Sequence, residues 1–446
     1  MSIFRSYDIR GVYGEDITDE IAEKIGKGFG TFLGGNKKIF VGRDMRTCSV
    51  NLSKNIIKGL TSTGCEVTNI GMVATPLLYF SIIYYKKDGG CMITASHNPS
   101  EWGGIKLRKK NALGISAGEG MEKIENIVKS NKFIKREKGK IYRKDVRKDY
   151  FNLICKKINI EKKIKVVIDS GNGMGGISEK IYKNIGCSTR TIFSKPDGKF
   201  PNHIPDPWQK YTLESLRKKV IQEKADLGIS FDGDVDRVGF VDNKGRVIDN
   251  NDVFMIFINN ILKENPKSKI IFDVRYSRMI NELIESMNGK PVLEKVGNPF
   301  LMKRRYETNS PLAGELTGHY WFKEWYGIDD GIFAGAKMIE IVSKVDSISK
   351  VVDSLPKDFI IKDSRLSCPD EKKFIVIESL KKKMIKQGYK IITIDGLKII
   401  TDDWSILIRP SNTQPEITIT TESRKEKLEE YHEKFKELLV YEIKIS

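Results

Sequence analysis

Short apolar runs alternate with longer amphipathic stretches over the first 350 or so residues, and three of the runs open the same pattern. An apolar strand ends in Asp, a loop follows, and an amphipathic helix comes next. The first copy is Ile39-Phe40-Val41-Gly42-Arg43-Asp44, with a helix near 50–63 that stops at Gly64. The second is Val166-Val167-Ile168-Asp169-Ser170-Gly171-Asn172-Gly173, with a helix near 176–185 spaced by Ile177, Ile181 and Ile185 and capped by Gly186. The third is Ile270-Ile271-Phe272-Asp273-Val274-Arg275, with a helix near 277–288. Strand and helix in alternation predict parallel α/β layers. Each copy lies over 100 residues from the last, which predicts three related domains rather than a solenoid.

Beyond about residue 357 the pattern changes. A long helix near 371–387 sets Phe374, Ile377, Leu380 and Met384 on one stripe; strands near 391–394, 405–409 and 416–420 follow. A last helix carries Leu428, Tyr431, Phe435 and Leu438 at spacings of three and four. This predicts a separate α+β domain. Breaks fall in the basic stretch 131–148, at Asn243-Lys244-Gly245 and at Ser354-Leu355-Pro356-Lys357.

The length of 446 residues agrees with three or four domains at roughly 150 residues each. No run of 18 apolar residues occurs and the N-terminus has no apolar signal core, so a cytoplasmic protein without a membrane partner is expected. Six scattered cysteines (Cys48, Cys65, Cys91, Cys155, Cys187, Cys368) form no C-x-x-C pair and predict reduced thiols, not a disulfide framework or zinc site. The net charge is +18, from 77 Lys and Arg against 59 Asp and Glu. The lysines are spread without an aromatic-interleaved basic repeat, which argues against nucleic acid and for a solvated surface, part of which draws anionic substrates.

The chemistry gathers in four loops. Asp232-Gly233-Asp234-Val235-Asp236, followed by Arg237, comes directly after the apolar run Leu227 to Phe231. Three like charges so close repel, and a hard divalent cation with oxygen ligands relieves them. In an extended chain the three would point to one side, which predicts a magnesium site at a strand end; an acidic turn is the plain alternative. Thr94-Ala95-Ser96-His97-Asn98-Pro99 puts Ser96 where a strand gives way to a turn, suited to nucleophilic or phosphoryl-carrying work. No G-x-S-x-G elbow surrounds it, which argues against a Ser-His-Asp hydrolase. Arg409-Pro410-Ser411-Asn412-Thr413-Gln414-Pro415 offers a guanidinium, hydroxyls and amides, the donors a phosphate takes. Gly314-Glu315-Leu316-Thr317-Gly318-His319 offers a carboxylate and hydroxyl suited to vicinal sugar hydroxyls, and an imidazole.

These loops, in this order after Phe4-Arg5-Ser6-Tyr7-Asp8-Ile9-Arg10-Gly11, resemble the α-D-phosphohexomutase family, most closely its phosphomannomutase/phosphoglucomutase branch. The resemblance runs through nearly the whole chain. It implies an α/β protein of four domains around one cleft, three of them mixed α/β with Rossmann-like cores and the fourth a smaller C-terminal α+β domain. The expected division is 1–142 with the phosphoserine loop, 143–246 with the metal loop, 247–357 with the sugar-recognition loop and 358–446 with the phosphate-binding loop. It further implies that Ser96 carries the phosphoryl group, and that Asp232, Asp234 and Asp236 bind magnesium with an oxygen of the Ser96 phosphate. Arg10 and Arg237 are the implied charge partners, Lys106 the active-site lysine, and His319 an aid to proton transfer. Glu315 and Thr317 are the implied sugar contacts, and Arg409, Ser411, Asn412 and Thr413 the distal phosphate site. The expected reaction interconverts hexose 1-phosphate and hexose 6-phosphate (mannose or glucose) through phosphoserine and a hexose 1,6-bisphosphate, which also serves as activator.

The sequence departs from the family pattern at Gly103, where Asn is common, at Asn298, where His is common, and at Leu316-Thr317, where Met-Ser is common. These departures bear on the sugar preferred, not on the reaction class. Phosphoglucosamine mutase is the runner-up. An aspartate-nucleophile phosphatase, with Asp329-Asp330 as a downstream metal pair, leaves Ser96 and the 409–415 loop without roles. A basic nucleic-acid-binding protein rests on net charge alone.

Overall fold

In each of the three repeated units, the strand that carries the terminal Asp sits inside a mixed sheet. The computed structural model describes residues 3–357, 359–411 and 415–445. In the first unit Lys38–Arg43 pairs in parallel with Glu66–Met72 on one side and Gly89–Ile93 on the other. In the second, Lys165–Asp169 lies between Ser188–Ile192 and Leu227–Phe231; in the third, Lys269–Asp273 lies between Lys290–Glu294 and Leu312–Glu315, again all parallel. The fourth strand reverses. Gly89–Ile93, Leu227–Phe231 and Leu312–Glu315 turn back into antiparallel Trp102–Lys109, Val238–Asp242 and His319–Phe322. The parallel arrangement read from the strand–helix alternation therefore gives way to an antiparallel pair at one edge of each sheet, and the sheets are mixed. The reason is connection length: segments 94–101, 232–237 and 316–318 are too short for a parallel crossover, which needs about a dozen residues. Those three reversals are the Ser96, Asp232 and Glu315 loops, so one topological position carries the chemistry three times.

The first sheet extends to Ile9–Val12 at one edge and Ile141–Arg143 at the other, and the second ends with Val247–Ile248. The helices of the repeat follow their strands as Ser49–Ser62, Ser178–Asn184 after a 3-10 turn at Met174–Ile177, and Arg278–Ser286.

The fourth unit is an antiparallel sheet ordered Ile360–Ser367, Glu416–Ser423, Trp404–Pro410, Leu397–Ile400, Ile391–Ile392. Helices Asp370–Lys386 and Leu428–Ile445 supply Val376, Ile377, Leu380, Met384, Phe435 and Leu439 to its core. Phe374 does not join this stripe and is 59% exposed. At 100° per residue it lies roughly 110° from the centre of the buried set. The periodicity did not reveal Ile360–Ser367, whose polar alternation marks an edge strand.

One apolar core runs continuously through the first three units. The helix Thr75–Tyr84 is apolar all round and buried through Ile82; Phe80 stacks on Trp325 (centroids 5.7 Å, 7°), which stacks on Phe333 (4.8 Å, 5°). The fourth unit keeps its own core and meets the third through a small cluster of Val274, Val296 and Leu407. Lys398 Nζ donates across this boundary to the carbonyls of Val274 (2.6 Å) and Tyr276 (3.2 Å). Glu422 accepts there from the Ser277 hydroxyl and from the Arg278 N–H (3.0 Å) at the start of helix Arg278–Ser286. Among the described residues no helix is long and apolar enough to cross a membrane.

Candidate active site

The four loops converge on one cleft of about 550 Å³. Ser96, Arg10, Lys106, Asp236, Arg237, Glu315, Thr317, His319, Arg409 and Ser411 all line it; Asp232 and Asp234 lie buried behind it. Asn412 and Thr413 fall outside the described residues.

Ser96 is 1% exposed and adopts a left-handed backbone, φ +51°. A non-glycine residue held there is strained, a condition common where a loop positions a reactive group. Its Oγ donates to Asp232 Oδ2 at 2.7 Å and lies 3.2 Å from His97 Nδ1. The Asp232 loop is not extended as the alternation argument required. It curls as a turn with Val235 at φ +72°, and this curl brings the three carboxylates together, with one oxygen from each lying within 4.8 Å of the others. Gly233 permits the close approach of the two loops, since a Cβ there would stand 2.5 Å from the Ser96 carbonyl oxygen.

Lys106 Nζ bridges Asp234 Oδ2 (2.7 Å) and Asp236 Oδ2 (2.5 Å). Burial acts against its ammonium, but the two carboxylates hold its pKa well above the lysine range. Burial acts to raise Asp236 as well, yet Lys106, His319 and Arg237 outweigh it and hold that carboxyl below its ordinary value. Asp232 goes the other way. Burial, with Asp236 and Asp234 beside it, pushes its pKa well up, and Arg237 and Lys106 do not compensate. Asp234 Oδ1 and Asp236 Oδ1 are buried and have no hydrogen-bond partner among the described residues. Two orphaned carboxylate oxygens and a third carboxyl short of positive charge fit a hard divalent cation.

Arg10 Nε pairs with Asp8 (2.7 Å) while its Nη1 donates to Asn98 Oδ1 (2.7 Å). Arg237 Nη2 donates to His97 Nδ1 (2.7 Å) and its Nε to His319 Nε2 (3.2 Å). Burial, with Arg237 and Arg10 close by, keeps His97 well below the histidine range and neutral. His319 Nδ1 donates to Asp329 Oδ2 at 3.1 Å, which leaves Nε2 as the acceptor. Burial lowers this imidazole's pKa, but Asp236, Asp329 and Glu315 outweigh burial and raise it, while the Nε2 lone pair is occupied by the Arg237 Nε–H. Glu315 Oε1 accepts from Thr317 (2.8 Å) and Arg275 (3.2 Å), and Oε2 is buried without a partner among the described residues. Arg409 Nη2 lies 3.1 Å from Asp395 beside Ser411. Eight basic side chains line the cleft against four acidic ones, so it favours a ligand with more than one negative charge.

Comparison with known proteins decides what this cleft belongs to. Models of the phosphoglucomutase/phosphomannomutase family match in series: alpha/beta/alpha domain I over residues 1–135, domain II over 142–245, domain III over 249–359 and the C-terminal domain over 365–438. The chain belongs to this family. It is a phosphohexomutase. A Pseudomonas aeruginosa protein named phosphomannomutase/phosphoglucomutase is 37% identical over 95% of this chain and 92% of its own length. A Thermococcus gammatolerans protein named probable phosphoglucosamine mutase is 35% identical over 98% of both chains. The solved structure of a phosphoglucomutase/phosphomannomutase family protein from Burkholderia thailandensis superposes with a TM-score of 0.92 at 31% identity, covering 99% of this chain and 97% of that one.

Around this phosphohexomutase cleft stand residues to which motif reading gave no role. Arg46 is buried and donates to the main-chain carbonyls of Ser96 (2.8 Å), Asn98 (2.5 Å), Pro99 (2.5 Å) and Trp102 (3.3 Å), while its guanidinium sits 5.0 Å from the centre of the Phe200 ring. Asp206 lies 3.6 Å from Arg237. Asn298, one of the departures from the family pattern, donates to Asp329 and accepts from Arg108 (3.0 Å), tying it to the His319 network. Sequence held one signal for Arg46: an Arg two residues after a strand-terminal Asp, repeated in Asp273-Val274-Arg275.

Proposed function

We propose that this phosphohexomutase moves its phosphoryl group by way of Ser96, with a hexose 1,6-bisphosphate as the intermediate. The observation that supports this most directly is the Ser96 hydroxyl, 2.7 Å from Asp232 and held over a cluster of three buried carboxylates at the wall of a cationic cleft. Asp232, Asp234 and Asp236 are the residues that would hold magnesium. Bound there, the ion would neutralise phosphoryl charge and hold the transferring group in line.

The chain's own residues carry the rest. Arg10 and Arg237 flank the phosphoryl group on Ser96 and balance its charge. Glu315 and Thr317 grip sugar hydroxyls, and Arg409 and Ser411 hold the phosphate already on the substrate, which sets the free hydroxyl at the far end against Ser96. As the bond from phosphorus to Ser96 Oγ breaks, the sugar oxygen gains the phosphoryl group and its proton passes to His319 Nε2, which the Arg237 Nε–H vacates as that guanidinium turns to the phosphoryl group. Lys106 keeps Asp234 and Asp236 in place. The bisphosphate then turns end for end, the other phosphoryl group returns to Ser96, and the isomer leaves. Water must be kept out during the turn. Closure of the fourth unit over the cleft serves this, since it has its own core and meets the third through a small contact.

The alternative aspartate nucleophile is disfavoured. Asp232 and Asp234 are fully buried, Asp234 is engaged by Thr75 and Lys106, and Asp232 accepts from Ser96. The sugar is a different question. The Thermococcus relative named as a probable phosphoglucosamine mutase is almost as similar as the Pseudomonas one, so mannose, glucose and glucosamine phosphates should be compared directly.

Incubation with glucose 1,6-bisphosphate should place one phosphoryl group on the wild type, visible by intact mass, and none on Ser96→Ala. The variant should also lose nearly all turnover of glucose 1-phosphate and mannose 1-phosphate. Retention of most activity by Ser96→Ala would sink the phosphoserine reading.

A further inference from the structure

The cleft wall mixes charged and polar groups with a few apolar side chains, Trp102, Val296, Pro299 and Trp208. Of the large apolar side chains left exposed among the described residues, only Trp208 lines it, at 39% exposure. No other ring and no cation stacks on its indole among the described residues. Its backbone is firmly set. Trp208 N–H donates to Asp206 Oδ1 (3.3 Å), Gln209 N–H and the Thr212 hydroxyl donate to the Asp206 carbonyl (3.1 and 2.8 Å), and Asp206 lies 3.6 Å from Arg237. Pro207 is seated on the strand Val238–Asp242 at Gly239, where a Cβ would stand 2.9 Å from Pro207 Cβ. The ring is thus presented to the cleft by a braced turn beside Arg237.

We propose that Trp208 is the platform on which the hexose ring rests, and that it retains the bisphosphate while it turns between the two transfers. This rests on the bisphosphate reading above. A hexose bisphosphate has charged ends and a face of C–H bonds; an aromatic face is electron-rich and suits those weakly positive hydrogens. Glu315 and Thr317 grip particular hydroxyls, and those bonds must break when the sugar reverses. Apolar contact is not directional, so it serves both orientations and the path between them. The platform is also blind to C2, and its contribution is the same for gluco- and manno-sugars.

The test compares Trp208→Ala and Trp208→Phe in the full chain. Steady-state turnover of glucose 1-phosphate and mannose 1-phosphate is measured together with the free hexose 1,6-bisphosphate released per turnover. Trp208→Ala should raise KM for both sugars alike and raise bisphosphate escape by roughly ten-fold, the scale of losing a buried apolar contact of about 1.4 kcal/mol. Trp208→Phe should restore most of the retention. Trp208→Ala with KM and escape both within two-fold of an active wild type overturns this proposal alone. A wild type that turns over no hexose phosphate overturns the mutase reading itself.

Discussion

Replacing Arg46 by Met would remove one side chain and release the whole serine loop. Met is close in length and apolar, so the cavity left behind is small and the loss is mainly polar. Arg46 and Asp44 are both fully buried, and the guanidinium donates to four carbonyls of the segment that holds Ser96. Each hydrogen bond to a charged donor contributes about 1.5–3 kcal/mol. The sum is an overestimate, because burying the guanidinium itself has a desolvation cost. Removing one member of a buried charged pair costs roughly 3–5 kcal/mol in practice, as the partner is left uncompensated. That partner is Asp44, whose carboxylate would keep the Ser49 hydroxyl (2.5 Å) and the N–H of residue 46 (3.0 Å) but lose its counter-charge. The first unit shares its core with the next two, so they melt together, and in a body of that size the loss corresponds to a fall of roughly 5 °C. Activity should suffer more than stability. A displacement of about 1 Å at the reacting atom costs on the order of a hundred-fold in rate, and Ser96 would lose the contact that fixes its carbonyl. The assays are a thermal melt, hydrogen exchange over 94–101, and kcat with glucose 1-phosphate. Melting within 2 °C of the wild type together with kcat within two-fold would refute the reasoning.

Two other predictions concern charge. Adding a chelator should stop turnover and lower the melting temperature, and magnesium at about a hundred times its dissociation constant should return about 2.7 kcal/mol of stability; a melting curve and activity indifferent to both would contradict the assignment of Asp232, Asp234 and Asp236. Burial lowers the Lys398 pKa to about 8, with Glu422 and Asp273 opposing, so the folded protein releases a proton that the unfolded chain keeps up to about 10.5. Stability from this group is therefore present above pH 10.5 and is lost as pH falls towards 8; urea titrations should show that slope in the wild type and its absence in Lys398→Met, and parallel curves would refute it.

The loops that carry the chemistry were legible because each is local: a short apolar strand, a tight reversal and a cluster of polar side chains within six or seven residues. The contacts that hold them are not local. Arg46 reaches the serine loop only because Lys38–Arg43 pairs in parallel with Gly89–Ile93, Arg43 opposite Ile93, so that the segments beyond both strands emerge side by side. The extended reading of Asp232 to Asp236 failed for a similar reason. Alternation predicts a shared side only while the backbone stays extended, and tertiary contacts hold Val235 in the left-handed region. Phe374 shows the limit of counting by threes and fours, since a spacing of three to one neighbour does not centre a residue on the stripe.

Comparing the three repeats gives the strand-terminal Asp a common use with one exception. Asp44 and Asp273 each accept from the N–H two residues on, and the Arg at that place braces its own unit's loop: Arg46 the Ser96 segment, Arg275 the Glu315 carboxylate. In the second unit Asp169 accepts from Gly171, which has no side chain to extend, and from His203. The Asp232 loop is braced instead from the first unit, by the Thr75 hydroxyl and N–H on Asp234 and by Lys106 across Asp234 and Asp236. Thr75 opens the buried helix of the shared core, and Lys106 lies on the strand that leaves the Ser96 loop. The spacing between serine and carboxylates is therefore set by the packing of the first unit on the second. A substitution that loosens Phe80 against Tyr150 of the second unit (ring centroids 5.4 Å) should then disturb phosphoryl transfer without touching a residue of the cleft.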